Sequence, residues 1–117
     1  MFGDRTMQIE TIKSGDREMT ISVRGEMDAQ GCSLIRDDIE RIADNAGDRA
    51  VVIDISKVNF LDSSGIGAIV YLYKRIKSKG GSLSISNASG QPLELMELLR
   101  INTAIPVQSA NHFQEAR

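Results

Sequence analysis

The tetrapeptide Asp62-Ser63-Ser64-Gly65 holds two hydroxyl groups at the point where an apolar strand has ended and an apolar helix begins. Asp62 is a good helix N-cap, because its carboxylate can accept hydrogen bonds from the unpaired amides of the first turn. Ser63 then lies at or next to the first helical position, where a side chain points to solvent. A phosphate on Ser63 is expected to meet free amides and the positive end of the helix dipole. These residue types are compatible with serine phosphorylation or anion binding, but the tetrapeptide alone is equally typical of an ordinary helix cap, because Asp and Ser are common capping residues.

The segments on either side of this turn predict the elements that position it. Residues 51–55 are mostly β-branched and apolar, which is typical of a central strand covered on both faces. Residues 63–79 predict a helix, since apolar side chains recur at helical spacing. Its buried face should hold Ile66, Ile69, Val70, Tyr73 and Ile76. Cations gather near its end, where they suit the negative end of the dipole and are expected to be solvated: Lys74, Arg75, Lys77 and Lys79.

The first turn of this helix is nearly bare, with Gly65, Gly67 and Ala68 close together. A glycine within a helix costs roughly 1 kcal/mol relative to alanine. Such a cost suggests that something approaches the turn closely. The neighbouring strand or helix is one candidate, and a partner protein or the phosphates of a nucleotide is the other.

Three motifs together carry a resemblance to a known family. Residues 51–67, which read Val-Val-Ile-Asp-Ile-Ser-Lys-Val-Asn-Phe-Leu-Asp-Ser-Ser-Gly-Ile-Gly, resemble the core signature of the STAS domain, the family of bacterial anti-sigma factor antagonists. Residues 25–28, Gly-Glu-Met-Asp, resemble the Gly-Glu-Leu-Asp turn of that family, with Met27 where leucine is commoner. Residues 79–87 resemble its Gly-Gly turn and following strand. The resemblance covers residues 7–107, nearly the whole chain.

The resemblance implies a regulatory switch without catalytic activity of its own. By motif, Ser63 is the phosphoacceptor of a cognate anti-sigma factor that is also an ATP-dependent serine kinase of the histidine-kinase-like type. A metal-dependent, PP2C-like serine phosphatase would reverse the modification. The unmodified domain would bind the kinase, and the kinase would then release its own target. The phosphorylated domain would dissociate from the kinase. The implied partner-binding residues are Asp28, Asp62, Ser63, Ser64, Gly65 and Ile66.

Two other functions stay open at this point. The chain could be a nucleotide- or small-ligand-binding module that uses the bare turn around Ser64, Gly65 and Gly67 as a phosphate cradle. It could also be a STAS switch whose output is biofilm formation or secretion, with no sigma factor involved. Whether Ser64 is a second phosphoacceptor is also open.

Composition limits the classes of function. The chain has 117 residues and a net charge of −2, with two tyrosines, three phenylalanines and no tryptophan. A nucleic-acid surface is not expected, because a basic face with interleaved aromatic residues is missing. No apolar run is long enough to cross a membrane, and residues 1–6 do not form a signal peptide. A single cysteine fits a reducing compartment. We expect one cytoplasmic domain over residues 1–117, monomeric when free, with no metal and no cofactor.

The remaining pattern predicts an α/β domain with the STAS fold, a mixed β-sheet of about four to five strands with helices packed on it. Residues 7–12 and 19–23 predict an opening hairpin, and a helix closed by Gly47 should follow it. Leu83 and Ile85 mark a further strand. Pro92 begins a short leucine-rich helix that is apolar on nearly all sides, and residues 103–107 predict a last edge strand. Residues 111–117 either begin a final helix or fray.

Other polar or reactive residues favour structural roles. His112 lies too near the end of the chain to complete a Ser-His-Asp triad with Ser63. Cys32 has no second cysteine beside it and is expected to be a small core residue. The acidic residues of the first predicted helix should form its exposed face, namely Asp37, Asp38 and Glu40.

Overall fold

The computed structural model describes residues 7–110, which form a five-stranded sheet in the order β1-β2-β3-β4-β5. The strands are β1 Gln8–Ser14, β2 Glu18–Met27, β3 Ala50–Leu61, β4 Ser82–Ala88 and β5 Val107–Ser109. The helices are α1 Ala29–Leu34, α2 Arg36–Ala46, α3 Ser63–Ser78 and α4 Gly90–Leu98, followed by a 3-10 turn at Ile101–Thr103. Strand β1 is antiparallel to β2, and the other neighbours are parallel. The predicted mixed α/β fold and its opening hairpin are confirmed.

One face of the sheet forms the core. Ile21, Ile53 and Ile85 lie side by side in register on the three central strands, and all three are buried. In the first half of β3, every second residue is only half-buried, namely Ala50, Val52 and Asp54. Strand β3 is central, as predicted, but the prediction that both its faces are covered is wrong. An unbroken apolar run does not reveal that Val52 lies on the less covered face.

Helices α2 and α3 follow the predicted periodicity. Helix α2 ends at Gly47, as predicted, and Gly47 has a positive φ of 63° that suits glycine. Helix α3 begins at Ser63 and buries Ile69, Leu72 and Ile76, with Leu72 taking the place predicted for Tyr73. The side-chain spacing therefore identified the helix correctly. Of the predicted face, Ile69 and Ile76 are buried, whereas Ile66, Val70 and Tyr73 are half-buried.

Helix α1 was not predicted, because its six residues are too short to show a helical period. It crosses very close to the end of β2. A Cβ atom added at Gly31 would lie 2.1 Å from the carbonyl oxygen of Glu26. Only glycine allows this approach, which places the start of α1 beside the end of the sheet.

The last strand is displaced from its predicted position. Residues 101–103 form the 3-10 turn, and β5 begins at Val107, so the predicted strand at 103–107 is wrong except for its last residue. It is nevertheless an edge strand, as Pro106 indicated.

In α4, Pro92 and Met96 are buried, whereas Leu98 is 76% exposed. The predictions for His112 and for a final helix at residues 111–117 concern residues outside the described part of the chain. Within residues 7–110, no helix is long and apolar enough to cross a membrane.

Candidate functional site

The two predicted aspartates lie together at one edge of the sheet. Strands β2 and β3 run parallel and end in register at Met27 and Leu61. Asp28 and Asp62 are the next residues of each strand. The amide of Asp62 donates to the carbonyl oxygen of Met27 at 3.3 Å, which links the two turns directly. The carboxyl ends of parallel strands thus bring together two motifs that are 34 residues apart in sequence.

Both aspartates cap the helices that follow them. Asp28 accepts a hydrogen bond from the amide of Gly31 at 2.8 Å. Asp62 accepts one from the amide of Ser64 at 2.8 Å and another from that of Gly65 at 3.3 Å. The predicted N-cap is confirmed, and Ser63 is the first residue of α3 and is exposed. Its hydroxyl is therefore presented to solvent on a backbone that the cap fixes.

The caps change what a phosphate on Ser63 would meet. The prediction that it would find free amides is wrong for the amides of Ser64 and Gly65, since the Asp62 carboxylate already accepts from both. An added phosphate would have to compete with that carboxylate or stand beside it as a like charge. The dipole of α3 still favours an anion at this end.

The two glycines of the first turn differ in surroundings. A Cβ atom at Gly65 would lie 2.4 Å from Leu61 Cδ1 and 2.6 Å from the carbonyl oxygen of Met27. Gly65 therefore lets α3 start against the ends of β2 and β3. The close approach that its helix cost suggested comes from these strands of the same domain. Around Gly67, an added Cβ atom would have open space, with no described atom within 4 Å apart from its chain neighbours and the backbone of its own helix. Gly67 keeps a solvent-facing position bare, one turn after Ser63.

A groove between α1, α2 and α3 begins beside this turn, with a volume of about 510 Å³. Ser64 is half-buried and lines it, together with Cys32, Ala29 and Ala68. Cys32 is half-buried, so its predicted core position is only partly correct. Burial raises the pKa of the Cys32 thiol, and the charges of Asp62 and Asp28 raise it further. A raised pKa disfavours the thiolate, which is the reactive form of cysteine.

The predicted partner-binding residues are close together but unequally accessible. Ser63 is exposed, whereas the other residues of the set are half-buried or buried. Half-buried members of the set are Asp28, Asp62, Ser64 and Ile66. Gly65 is buried, so its part in any contact would be to shape the turn.

The opposite end of α3 is fixed by charged side chains. Arg75 donates to Glu40 Oε1 at 2.7 Å and to Asp44 Oδ1 at 2.6 Å, both on α2. Tyr71 also donates to Glu40, and the Lys79 ammonium donates to the carbonyl oxygen of Ala43 at 3.2 Å. The prediction of a solvated cationic helix end is therefore wrong for Arg75, which is half-buried, whereas Lys79 is exposed, as predicted, and also bonds to α2.

The acidic partner of this cluster also departs from expectation. Glu40 was predicted on the exposed face of its helix, but it is half-buried and bonded to α3. The hydrogen bond from Tyr71, followed by that from Arg75, holds the pKa of Glu40 below its usual range. Asp37 is exposed, as predicted, and Asp38 pairs with Arg41.

Sequence reasoning missed one side chain at the site. The amide of Gln91, in the first turn of α4, bonds both backbone groups of Leu61. The Leu61 amide donates to Gln91 Oε1 at 2.8 Å, and Gln91 Nε2 donates to the Leu61 carbonyl oxygen at 2.7 Å. These residues are 30 positions apart, and no local pattern could have indicated the contact.

Comparisons with known proteins identify the family and the fold. The family model described as "STAS domain" matches residues 8–116. The anti-sigma-B factor antagonist of Bacillus subtilis is 24% identical over 98 residues, which cover 84% of this chain and 88% of that protein. A crystal structure of an anti-sigma factor antagonist from Mycobacterium paratuberculosis is similar, with a TM-score of 0.73, 22% identity and 86% of each chain covered. The Bacillus cell fate determinant SpoIIAA in its phosphorylated form gives a TM-score of 0.64 at 15% identity, with 94% of this chain and 100% of that chain covered.

Proposed function

Because the chain belongs to the STAS domain family, we propose that it is an anti-sigma factor antagonist that works by partner switching. In its unphosphorylated form it binds a cognate anti-sigma factor that is also a serine kinase, and the target of that kinase is released. Phosphorylation of Ser63 ends the binding. The observation that carries the proposal is the exposed Ser63 side chain, held at the start of α3 directly after the Asp62 cap.

The geometry around Ser63 suits a kinase substrate. A kinase must reach the hydroxyl, and Ser63 is exposed. The backbone beneath it is fixed by the Asp62 cap and by the close contact of Gly65 with Met27 and Leu61. A fixed backbone lowers the entropy lost when the acceptor is positioned for transfer. Ser64 is a poorer acceptor, because it is half-buried in the groove.

Phosphorylation would act on the interface mainly through charge. A phosphoserine carries about −1.5 to −2 charge at neutral pH. It would stand next to Asp62, whose carboxylate already occupies two of the amides that could have neutralised it. A partner covering this surface would have to desolvate both anions together. A tenfold loss of affinity needs only about 1.4 kcal/mol, which one desolvated like-charge contact can supply.

The proposed partners follow the family resemblance. The kinase is an anti-sigma factor of the ATP-binding, histidine-kinase-like type, and a PP2C-like serine phosphatase restores the binding form. The Bacillus subtilis relative named an anti-sigma-B factor antagonist supports this choice of partner. The SpoIIAA structure in its phosphorylated form supports the compatibility of this fold with a phosphate.

A small-ligand module is the second candidate. The groove beside Ser64 has a volume of about 510 Å³, which lies within the usual size range of small-molecule sites. A phosphate cradle at the first turn is less well supported, since the space at Gly65 is filled and two amides are bonded to Asp62. Saturable nucleotide binding by the pure protein would favour this candidate.

The experiment that tests the switch is phosphosite mapping of the chain purified from its native cells. Intact mass and peptide mapping are compared for the wild type, Ser63→Ala and the matched control Ser64→Ala. We expect one phosphate on Ser63 in the wild type and in Ser64→Ala, and none in Ser63→Ala. Absence of phosphate from Ser63 under every growth condition would contradict the proposal.

A further inference from the structure

Strand β3 extends beyond its neighbour β4 at the end that leads to Ser63. The register between the two strands stops at the pair Asp54 and Ser86, whereas β3 continues to Leu61. On its other side, β3 stays paired with β2 through Met27. The final residues of β3 therefore lack a backbone partner from β4, just before the turn that carries the proposed phosphoacceptor.

The side chain of Gln91 occupies this gap at Leu61. Its carboxamide accepts from the Leu61 amide and donates to the Leu61 carbonyl oxygen, at 2.8 and 2.7 Å. One donor and one acceptor in a planar group reproduce what a peptide unit of a paired strand would offer. Gln91 thus acts as a one-residue substitute for the missing strand.

The backbone between β4 and α4 turns so that the Gln91 side chain reaches Leu61. Asn87 has a φ of 60° and Gly90 has a φ of 58°, so two left-handed residues turn the chain within four positions. Left-handed backbone is unfavourable for residues other than glycine, and Asn87 is among the types that tolerate it best. Gln91 follows this turn directly and lies in the first turn of α4.

We propose that Gln91 is a positioning residue for the Ser63 turn. Leu61 is held from one side by β2 and from the other by Gln91, and the next residue is Asp62, the cap of α3. By fixing the Leu61 peptide, Gln91 sets the direction in which Asp62 enters the helix and Ser63 faces the partner. The effect on phosphorylation rests on the function proposed above, whereas the effect on the turn does not.

The test compares three variants of the full chain. Gln91→Met keeps the length of the side chain and removes both hydrogen bonds. Gln91→Glu has an acceptor when ionised and regains a donor when protonated. Gln108→Met is the matched control, since Gln108 is exposed on β5 and makes no side-chain hydrogen bond within residues 7–110. Amide hydrogen exchange and amide chemical shifts are measured by NMR, together with phosphate on Ser63 in native cells.

For Gln91→Met, we expect the Leu61 amide to exchange at least tenfold faster, while that of Ile53 is unchanged. The amide shifts of Ser64 and Gly65 should move because the Asp62 cap is reoriented, and Ser63 should carry at least twofold less phosphate than in the wild type. Gln108→Met should match the wild type in all three measurements.

Gln91→Glu separates positioning from simple loss of packing. At pH 7 it keeps an acceptor for the Leu61 amide but places an ionised carboxylate against the Leu61 carbonyl oxygen, so the exchange rate of Leu61 and the shifts of Ser64 and Gly65 should depart from those of the wild type. As the pH falls to about 4.5, near the usual pKa of a glutamate, protonation should restore the donor. The exchange rate of Leu61 and the shifts of Ser64 and Gly65 should then approach those of the wild type at the same pH.

Two results would overturn the positioning role. Unchanged shifts at Ser64 and Gly65 in Gln91→Met would show that Gln91 does not orient the turn, even if Leu61 exchanges faster. A Gln91→Glu variant that does not recover on acidification would show that the hydrogen bonds are not what matters. Absence of phosphate from Ser63 in the wild type would instead overturn the proposed function, and the NMR results would still decide the role of Gln91.

Discussion

The first turn of α3 is fixed by a capping carboxylate and by the close packing of a glycine, whereas its last turns are fixed by ion pairs and hydrogen bonds to α2. At the first turn, Asp62 caps the amides and Gly65 packs against the strand ends, so the Ser63 side chain stays free. At the other end, Arg75 and Lys79 are tied to α2. The comparison teaches that a surface can be rigid and still leave its side chains available. Substitutions at the two ends should therefore show whether the stability of the fold and the proposed partner switching can be changed independently.

The largest effect on stability is expected for Gly65→Ala. The added methyl group would overlap the Met27 backbone, which cannot move without disturbing β2. Overpacking of this kind typically destabilises by 1–3 kcal/mol, and we expect about 2–3 kcal/mol here. Urea unfolding followed by circular dichroism measures it. A stability equal to that of the wild type would contradict the close contact between α3 and the strands.

Removal of the cap by Asp62→Ala should have the next largest effect. The amides of Ser64 and Gly65 would lose their acceptor, at a cost of about 1 kcal/mol. Asp62→Asn is the matched control, because asparagine caps helices well without the charge. Equal unfolding free energies for Asp62→Ala and Asp62→Asn would argue against a capping role.

At the opposite end, Arg75→Met should lower stability by less than Asp62→Ala does. It removes the bonds to Glu40 and Asp44 but keeps most of the aliphatic stem. Phosphate on Ser63 should stay at its wild-type level, since the network lies three turns away from it. Lys74→Met, which changes an exposed cation without a side-chain partner among residues 7–110, is the control. Loss of phosphate on Ser63 in Arg75→Met would show that the two ends are coupled.

A small gain in stability is expected for Gly67→Ala. The new methyl group has open space around it, and alanine is a better helix former than glycine by about 1 kcal/mol. Paired with Gly65→Ala, this substitution shows whether surroundings or helix propensity decide the effect of a glycine in this turn. A loss of stability would mean that Gly67 has an internal role that the structure does not reveal.

Acid should weaken the charged end of α3 selectively. The folded pKa of Glu40 is below its ordinary value, so its contribution to stability is complete above that value and disappears as the pH falls through the folded pKa. The difference in unfolding free energy between wild type and Glu40→Gln should shrink on acidification. Unfolding measured at a series of pH values tests this, with Asp37→Gln as an exposed control on the same helix. A difference that is independent of pH would contradict the network.

The parts of the site that sequence could predict are those that depend on neighbouring residues. An N-cap followed by a helical period placed Asp62 and Ser63 correctly, because capping and periodicity act over a few residues. The family resemblance likewise placed Asp28 beside them. The structure added that the cap already occupies the amides that a phosphate would use.

What sequence could not predict depends on contacts between distant segments. The bonds of Arg75 to Glu40 and of Gln91 to Leu61 span 35 and 30 residues. Both arise from how helices sit on the sheet, which a local pattern does not encode. The burial of Val52 and the position of β5 were predicted wrongly for the same reason. An apolar run looks alike on either face of a sheet, and a proline limits a strand without locating it.

The most direct test of the switch is the affinity of the chain for the anti-sigma factor kinase encoded in the same genome. Calorimetric titration compares the unmodified protein with protein carrying phosphoserine at position 63, and with Gln108→Met as a control. We predict saturable binding by the unmodified chain and by Gln108→Met, and at least tenfold weaker binding by the phosphorylated form. Equal affinity of the phosphorylated and unmodified forms would contradict the account.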